Sequence, residues 1–471
     1  MLLTVCRSQR GNYITVKNIM VNFSTNRVLC FVIIQVSFVE VFSKNITDSE
    51  RFLLIRNSSA FIDKTWFLKK LFQYNFILLT APPKFGKSMN MQMIKVFSDI
   101  NNRRENTAKI FRTTNIFRDR DFVINHLCKY PVIYCSLRPK RAIETFGDVY
   151  NELKMSIGNT FLQHEYIMES SKVDNDTKNK FLEFSTLKVE DCEIGLKFLS
   201  EALFIHYSKK VILLIDDYDY SITQSLFNKE LDSEKIGRLI FRLIDNSINL
   251  NEFLERAVVM GCVSYNLGVE YSGINLLQRF KFMETKDFTP YFGFTRRETE
   301  LLLSKFGLER FSDKVFQWYG GYCYLYSDFF IYNPLSVLKF IKMREFNIHW
   351  ILIKRKAELL EYFESYYQLN EFITRLVKNE TVTIQLVPSL TIYDVENLKN
   401  EIQPARFSHE EDFSEFYLFL QILMESGYLT FAEKHTLLPT STKVKYPNIE
   451  VKKIFEQILK RLSATYPDNL Y

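Results

Sequence analysis

Two short clusters hold the residue types that could do chemistry. The first is Ala81-Pro-Pro-Lys-Phe-Gly-Lys-Ser88. Here Gly-Lys-Ser opens a segment of helical spacing, after an apolar run (Phe76–Thr80) and a turn with two prolines. That is the setting of a phosphate-binding P-loop. A helix start offers unpaired N–H groups and a partial positive charge, both of which suit an anion. On this reading Pro83, Lys84, Phe85, Gly86, Lys87 and Ser88 form the nucleotide cradle, Lys87 reaches the β- and γ-phosphates, and Ser88 holds Mg²⁺. The pattern G-x-x-x-x-G-K-[ST] asks for glycine where this chain has Ala81. The plain alternative is a strand, a turn and a helix with an exposed lysine.

The second cluster is Val211-Ile-Leu-Leu-Ile-Asp-Asp217. Aliphatic residues ending in two acids form the Walker B arrangement, a buried parallel strand with acids at its carboxyl end. Asp216 would bind Mg²⁺ through water, and Asp217 stands where many ATPases orient the attacking water. Glu is the commoner residue there. Asp is one methylene shorter, and a misplacement of about 1 Å can cost roughly a hundredfold in rate, so slow hydrolysis is expected. Solvated acids at a strand end are the alternative. The two half-motifs occur in the required order with a strand and a helix between them, which favours ATP and Mg²⁺ as ligands.

These clusters need elements to position them. Phe76–Thr80, Tyr130–Leu137, Val211–Ile215 and Ala257–Gly261 read as buried strands. Helical spacing is read in Trp66–Phe72, with Thr65 as N-cap, in Ile143–Phe161 and in Leu196–Tyr207. Strands alternating with helices predict an α/β fold: a parallel sheet flanked by helices, with ligands at the strand ends. Glu169–Lys180 is polar and reads as a surface loop.

The chain has 471 residues, 47% of them apolar and 25% charged, with 43 Phe but only 14 Gly and 11 Pro. This is a globular composition, long enough for two or three domains and unlike a disordered or collagen-like chain. A net charge of +6 without a basic tract gives no support to a nucleic-acid partner. Seven cysteines include no C-x-x-C pair, and the six histidines are scattered, so neither a zinc site nor a disulfide framework is expected.

The first 43 residues differ from the rest. Val28–Val39 is an apolar run preceded by Arg27 and followed by Val41 and Ser43 at −3 and −1 of a cleavage site. It is short for a bilayer span and suits a signal peptide, most compactly when read from Met20. The expected divisions are 1–43 as a signal peptide or extension, 44–300 as the P-loop domain and 301–471 as a helical lid and C-terminal region. If segment 20–43 is cleaved the protein is secreted, without a transmembrane anchor in the mature chain; otherwise it is intracellular. Five N-x-[ST] sequons, at Asn22, Asn45, Asn57, Asn175 and Asn379, decide nothing.

Further motifs follow one another along the chain: Phe61-Ile-Asp-Lys-Thr65, Pro82-Pro-Lys-Phe-Gly-Lys-Ser88, Leu214-Ile-Asp-Asp-Tyr-Asp219, Ser272-Gly-Ile-Asn275, Phe292-Gly-Phe-Thr-Arg-Arg-Glu298, Trp318-Tyr-Gly-Gly-Tyr322 and Tyr332-Asn-Pro-Leu-Ser336. In this order they resemble the AAA-ATPase-like family, whose members often carry a PD-(D/E)XK nuclease-like domain. The resemblance runs from about Ser49 to Val451. It implies an ATP-binding P-loop domain of the additional-strand class, and its own loop lacks the first glycine too. Three departures lie near the expected phosphate chemistry: Asp217 for Glu, Met260 where a hydroxyl or amide would sense the γ-phosphate, and Ser264 where the family has a cation. They put turnover in doubt more than binding. The resemblance also predicts no nuclease activity, since little chain follows Val451.

Trp318, Tyr319 and Tyr322 read as core aromatics rather than base-stacking residues. Asn333-Pro334 signals entry to a helix at Leu335–Ile341. Ile353–Val377 has helical spacing, including Leu359, Leu360, Phe363, Tyr366 and Tyr367. Val382–Leu386, helix Glu410–Glu425, the turn Gly427–Thr430, Lys443–Val451 and a last helix to Leu462 are compatible with a small winged-helix-like lid. The expected function is ATP–Mg²⁺ binding with weak hydrolysis and a protein partner of unknown kind. The alternative is a secreted or scaffold protein that keeps the fold without ATPase activity.

Overall fold

A computed structural model describes residues 48–266, 272–350, 367–387, 389–401 and 414–465. The expected signal segment and Leu359–Tyr366 lie outside these residues.

The centre is a parallel sheet of β1 (Phe76–Thr80), β2 (Val132–Ser136), β3 (Val211–Asp216), β4 (Leu254–Gly261) and β5 (Gln278–Lys281), in the order β2-β3-β4-β1-β5. β1 to β4 are the strands expected from the aliphatic runs. Helices cover both faces of such a sheet, so its inner strands need apolar side chains on both sides. β3 is buried along its whole length. β5 has no such signal. Gln278-Arg-Phe-Lys281 is a half-exposed edge strand, and charges on an edge discourage pairing with another chain.

Two local expectations need correction. Asn175–Ser185 is a helix where a loop was expected. The Asp174 carboxylate caps it by accepting the Thr177 N–H, and Phe181 and Phe184 bury against Phe161. Two aromatics one turn apart suffice for a buried stripe on an otherwise polar segment. Thr65 precedes helix Trp66–Leu71 without capping it. Its hydroxyl instead donates to Asp63 and accepts the Ile116 N–H.

The C-terminal third carries a three-stranded antiparallel sheet, Val382–Gln385, Ser441–Lys445 and Thr430–Phe431 in that order. Helix Ser414–Glu425 lies between its first and second strands in sequence, and helix Ile449–Thr465 follows its last. A winged-helix arrangement is not established by this order. The main hydrophobic core runs from Phe52 through the central sheet to Ile458, so the C-terminal segments bury into the same interior as β1 to β4. A smaller core gathers Leu302, Leu303, Tyr319, Tyr332 and Phe340. Tyr319 and Tyr322 are buried, as the core reading expected. Among the described residues no helix is long and apolar enough to cross a membrane.

Gly293 shows how tightly the loop after β1 is held. Its N–H donates to the Phe85 carbonyl at 3.0 Å. Its φ is +83°, and a Cβ there would lie 2.2 Å from Ile331 Cγ2 and 2.9 Å from the Tyr332 oxygen. Gly307 also has positive φ (+65°) but faces open space. Gly307→Ala should therefore cost about 1 kcal/mol, the backbone penalty alone, and Gly293→Ala roughly 2–4 kcal/mol because packing must also shift. Urea denaturation of both variants measures the difference; equal losses would contradict the close approach at Gly293.

Candidate functional site

Every candidate residue lies at the carboxyl edge of the sheet, where parallel α/β folds bind ligands. β1 ends at Thr80, and Ala81 extends its pairing by donating its N–H to the Gly261 carbonyl at 3.1 Å. A glycine is therefore not needed at position 81. The chain turns through Pro82 and Pro83, takes positive φ at Lys84 (+68°) and Gly86 (+94°), and enters helix Lys87–Ser98. No atom lies within 4 Å of the Cβ that Gly86 lacks, so the space at the helix start is open.

Distant segments hold this loop in shape. Trp350 Nε1–H donates to the Pro83 carbonyl at 2.8 Å, and Gly293 N–H holds Phe85. The Phe85 ring is fully buried, edge-on to Phe282 and Tyr322 at 5.2 and 4.9 Å between centroids. Phe85 thus anchors the loop with its ring.

The Lys87 ammonium is buried, 6% exposed, and folds back on its own loop. It donates to the Ala81 and Pro82 carbonyls at 2.7 and 3.0 Å and stands 3.1 Å from Cys262 Sγ. Burial is the largest influence on its pKa and pulls it down. Cys262, Asp217 and Asp219 together outweigh that and leave it raised. Lys87 is a cation in a site built for one.

Asp216 ends β3 and is 1% exposed. Tyr134 Oη–H donates to its Oδ2 at 3.2 Å, the Asp217 N–H to its Oδ1 at 3.0 Å, and the Ser88 side chain also bonds it. Burial, and then the charge of Asp217, push its carboxyl up to about 6. Ser88 and Asp216 are thus in contact across the two motifs. A hydroxyl and a carboxylate are hard oxygen donors of the kind that bind Mg²⁺ together with ligand phosphates. Among the described residues no group of three or more His, Cys, Asp or Glu could hold a metal by itself. Asp217 follows with φ +55°, its side chain 16% exposed.

A cavity of about 490 Å³ gathers Pro83 to Ser88, Asp217 and residues that the motifs did not single out. That volume is in the range of small-molecule sites. Asp216 lies just outside its lining and reaches it through Ser88. Arg138, two residues past β2, lines the cavity with its guanidinium 3.8 Å from Asp217 and 4.5 Å from the Tyr220 ring centre. Phe61, Ile62, Phe294, Leu335 and Leu338 add apolar surface. Three of the ordered motifs therefore converge here, those beginning at Phe61, Phe292 and Tyr332. Asp219 was visible in sequence as the last acid of Asp-Asp-Tyr-Asp. It accepts the N–H groups of Cys262 and Val263 at 2.9 and 2.8 Å and so fixes the exit of β4. Burial, as the largest cause, pushes its carboxyl up to about 6.

Met260 and Ser264, two of the three departures, lie away from the cavity. Met260 is fully buried and pairs with Leu79 inside the sheet. Ser264 is also buried, and its N–H donates to Glu425 Oε2 at 2.6 Å, next to the Lys281–Glu425 ion pair. Neither lines the cavity. The β4 end presents Cys262 instead, the first residue past the strand, where the chain leaves the sheet.

A family model described as Predicted AAA-ATPase matches residues 46–267. A comparison with curated proteins finds no match. That stretch, which includes β1 to β4, the loop and both acids, is similar to the AAA-ATPase-like family.

Proposed function

We propose that this protein binds ATP with Mg²⁺ in the 490 Å³ cavity and hydrolyses it slowly. The observation that supports this most is the contact between the two motifs. Ser88 at the helix start bonds Asp216 at the end of β3, with Lys87 and Asp217 beside them. Gly86 and the following N–H groups cradle the phosphates, and Lys87 exchanges the Ala81 and Pro82 carbonyls for β- and γ-phosphate oxygens. Ser88 and Asp216 would hold Mg²⁺, which would supply positive charge to offset that of the phosphates. The purine lies against the apolar wall of Phe61, Ile62 and Leu335. Asp217 orients a water whose oxygen bonds the γ-phosphorus. The bond to the bridging oxygen then breaks, ADP keeps its electron pair, and the proton lost by the water passes through the Asp217 carboxylate to solvent.

The second reading keeps the fold without turnover, as a scaffold or, if segment 20–43 is cleaved, a secreted protein. Of the three departures that favoured it, Met260 and Ser264 do not line the cavity, which leaves Asp217.

Titration with trinitrophenyl-ATP and Mg²⁺ should show saturable binding. Lys87→Ala should weaken it about tenfold or more, roughly 1.4 kcal/mol. Asp216→Ala should abolish the gain from Mg²⁺. Equal, negligible signal from wild type and Lys87→Ala would end the nucleotide reading. Phosphate release that is robust and lost in Asp217→Asn would exclude the scaffold reading.

Nucleotide affinity should also fall as pH drops through about 6, where Asp216 takes up a proton and can no longer serve the metal. Stability of the ligand-free protein should move the opposite way. Folded Asp216 and Asp219 titrate near 6 and Glu450 near 7, in each case raised chiefly by burial. The unfolded chain releases these protons near pH 4. Their contribution is thus full below about pH 4 and lost as pH rises through 6 to 7. Denaturation midpoints should be higher at about pH 5 than at pH 7.5. Asp216→Asn should reduce that difference by on the order of 1 kcal/mol; a midpoint independent of pH would contradict the burial of these acids.

A further inference from the structure

Arg138 is unexplained by the motifs. β2 pairs with β3 so that Ser136 stands opposite Asp216, and the Leu137 N–H donates to the Asp216 carbonyl at 2.9 Å. The next residue therefore leaves the sheet beside the acid pair. Its guanidinium rests between the Asp217 carboxylate, at 3.8 Å, and the Tyr220 ring, at 4.5 Å from the centroid. The side chain is 47% exposed, and an ion pair this open contributes little to stability. The Tyr220 ring lies within cation–π distance of the guanidinium, a contact that uses its charge and not its N–H donors.

The charge balance of the cavity gives this placement a use. A bound triphosphate brings several negative charges next to Asp216, Asp217 and Asp219. Lys87 answers some of that charge from the loop side. Lys64, also on the lining, is committed to Glu298 and the Pro290 carbonyl, both at 2.6 Å. Position 264, where the resemblance led to an expected cation, is buried against Glu425. Lys84 and Lys87 approach from the loop, whereas Arg138 reaches Asp217 from the end of β2, on the side of the acids opposite the loop strand β1.

We propose, building on the ATP reading above, that Arg138 is the residue that recognises the γ-phosphate. In the free protein it pairs with Asp217. With ATP bound it transfers to the terminal phosphate oxygens, where a planar guanidinium can bond two at once. The transfer also releases the Asp217 carboxylate to hold water, so that the site is completed only by a triphosphate. ADP lacks the group Arg138 reads, and the Arg138–Asp217 pair persists beside it.

The test compares Mg²⁺–AMP-PNP with Mg²⁺–ADP by calorimetry on the full chain. Arg138→Gln removes the charge while keeping a stem over Tyr220, so a fold change is not expected. It should weaken AMP-PNP binding about tenfold or more and leave ADP within about twofold. Arg138→Lys should restore part of the AMP-PNP affinity. Equal weakening for both nucleotides, or none for either, overturns the assignment. Where wild type binds both nucleotides and Lys87→Ala binds neither, such a result overturns Arg138 alone. Where wild type binds neither, the ATP reading fails and this proposal with it.

Discussion

A buried ammonium must have oxygens around it, and at Lys87 the whole neighbourhood answers to that need. Two loop carbonyls accept its hydrogen bonds, and Asp217, Asp219 and Cys262 supply the electrostatic support that outweighs burial. The loop must therefore keep its carbonyls turned inward. Prolines at 82 and 83, positive φ at 84 and 86, and the buried Phe85 ring maintain that shape. The arrangement is self-consistent without a ligand and rich in groups that an anion could take over.

The loop is also where the two ends of the chain's fold meet. Trp350 bonds the Pro83 carbonyl, and its ring packs on Tyr428 at 5.1 Å. The Glu450 carboxylate accepts the N–H groups of His349 and Trp350 and the Ser336 hydroxyl. Gly427 leaves room for Pro82, since a Cβ there would come within 2.9 Å of that ring. Helix Pro334–Met343, which contributes Leu335 and Leu338 to the cavity, is tied to the same carboxylate through Ser336. The C-terminal third thus packs directly on the outer face of the loop. A change at the cavity has a short mechanical route to it, through Trp350 and Glu450.

The parts of the site that were legible in sequence are those whose signal is local. Five consecutive aliphatics followed by two acids describe a buried strand and its wet end in one stretch, and β3 has that form. Gly86-Lys-Ser88 after a strand marks a helix start by itself. β5 was not legible because an edge strand is half-exposed and carries no aliphatic run. Arg138 was not legible because nothing in Leu137-Arg-Pro139 states its neighbour. Its closeness to Asp217 follows from the β2–β3 register, a long-range fact.

By itself the sequence determined the strand–helix alternation and pointed to Lys87, Ser88, Asp216 and Asp217 and to a family resemblance, because burial periodicity and motif order are properties of neighbouring residues. Tertiary structure alone decided which residue at each strand end meets the cavity. It placed Cys262 there rather than Met260 or Ser264, and set Arg138 against Asp217 and Tyr220. It also brought Phe61, Phe294 and Leu335, far apart in the chain, onto one apolar wall. The physical reason is that a side chain's direction depends on strand register and on what packs across it, and neither is written in the residues beside it.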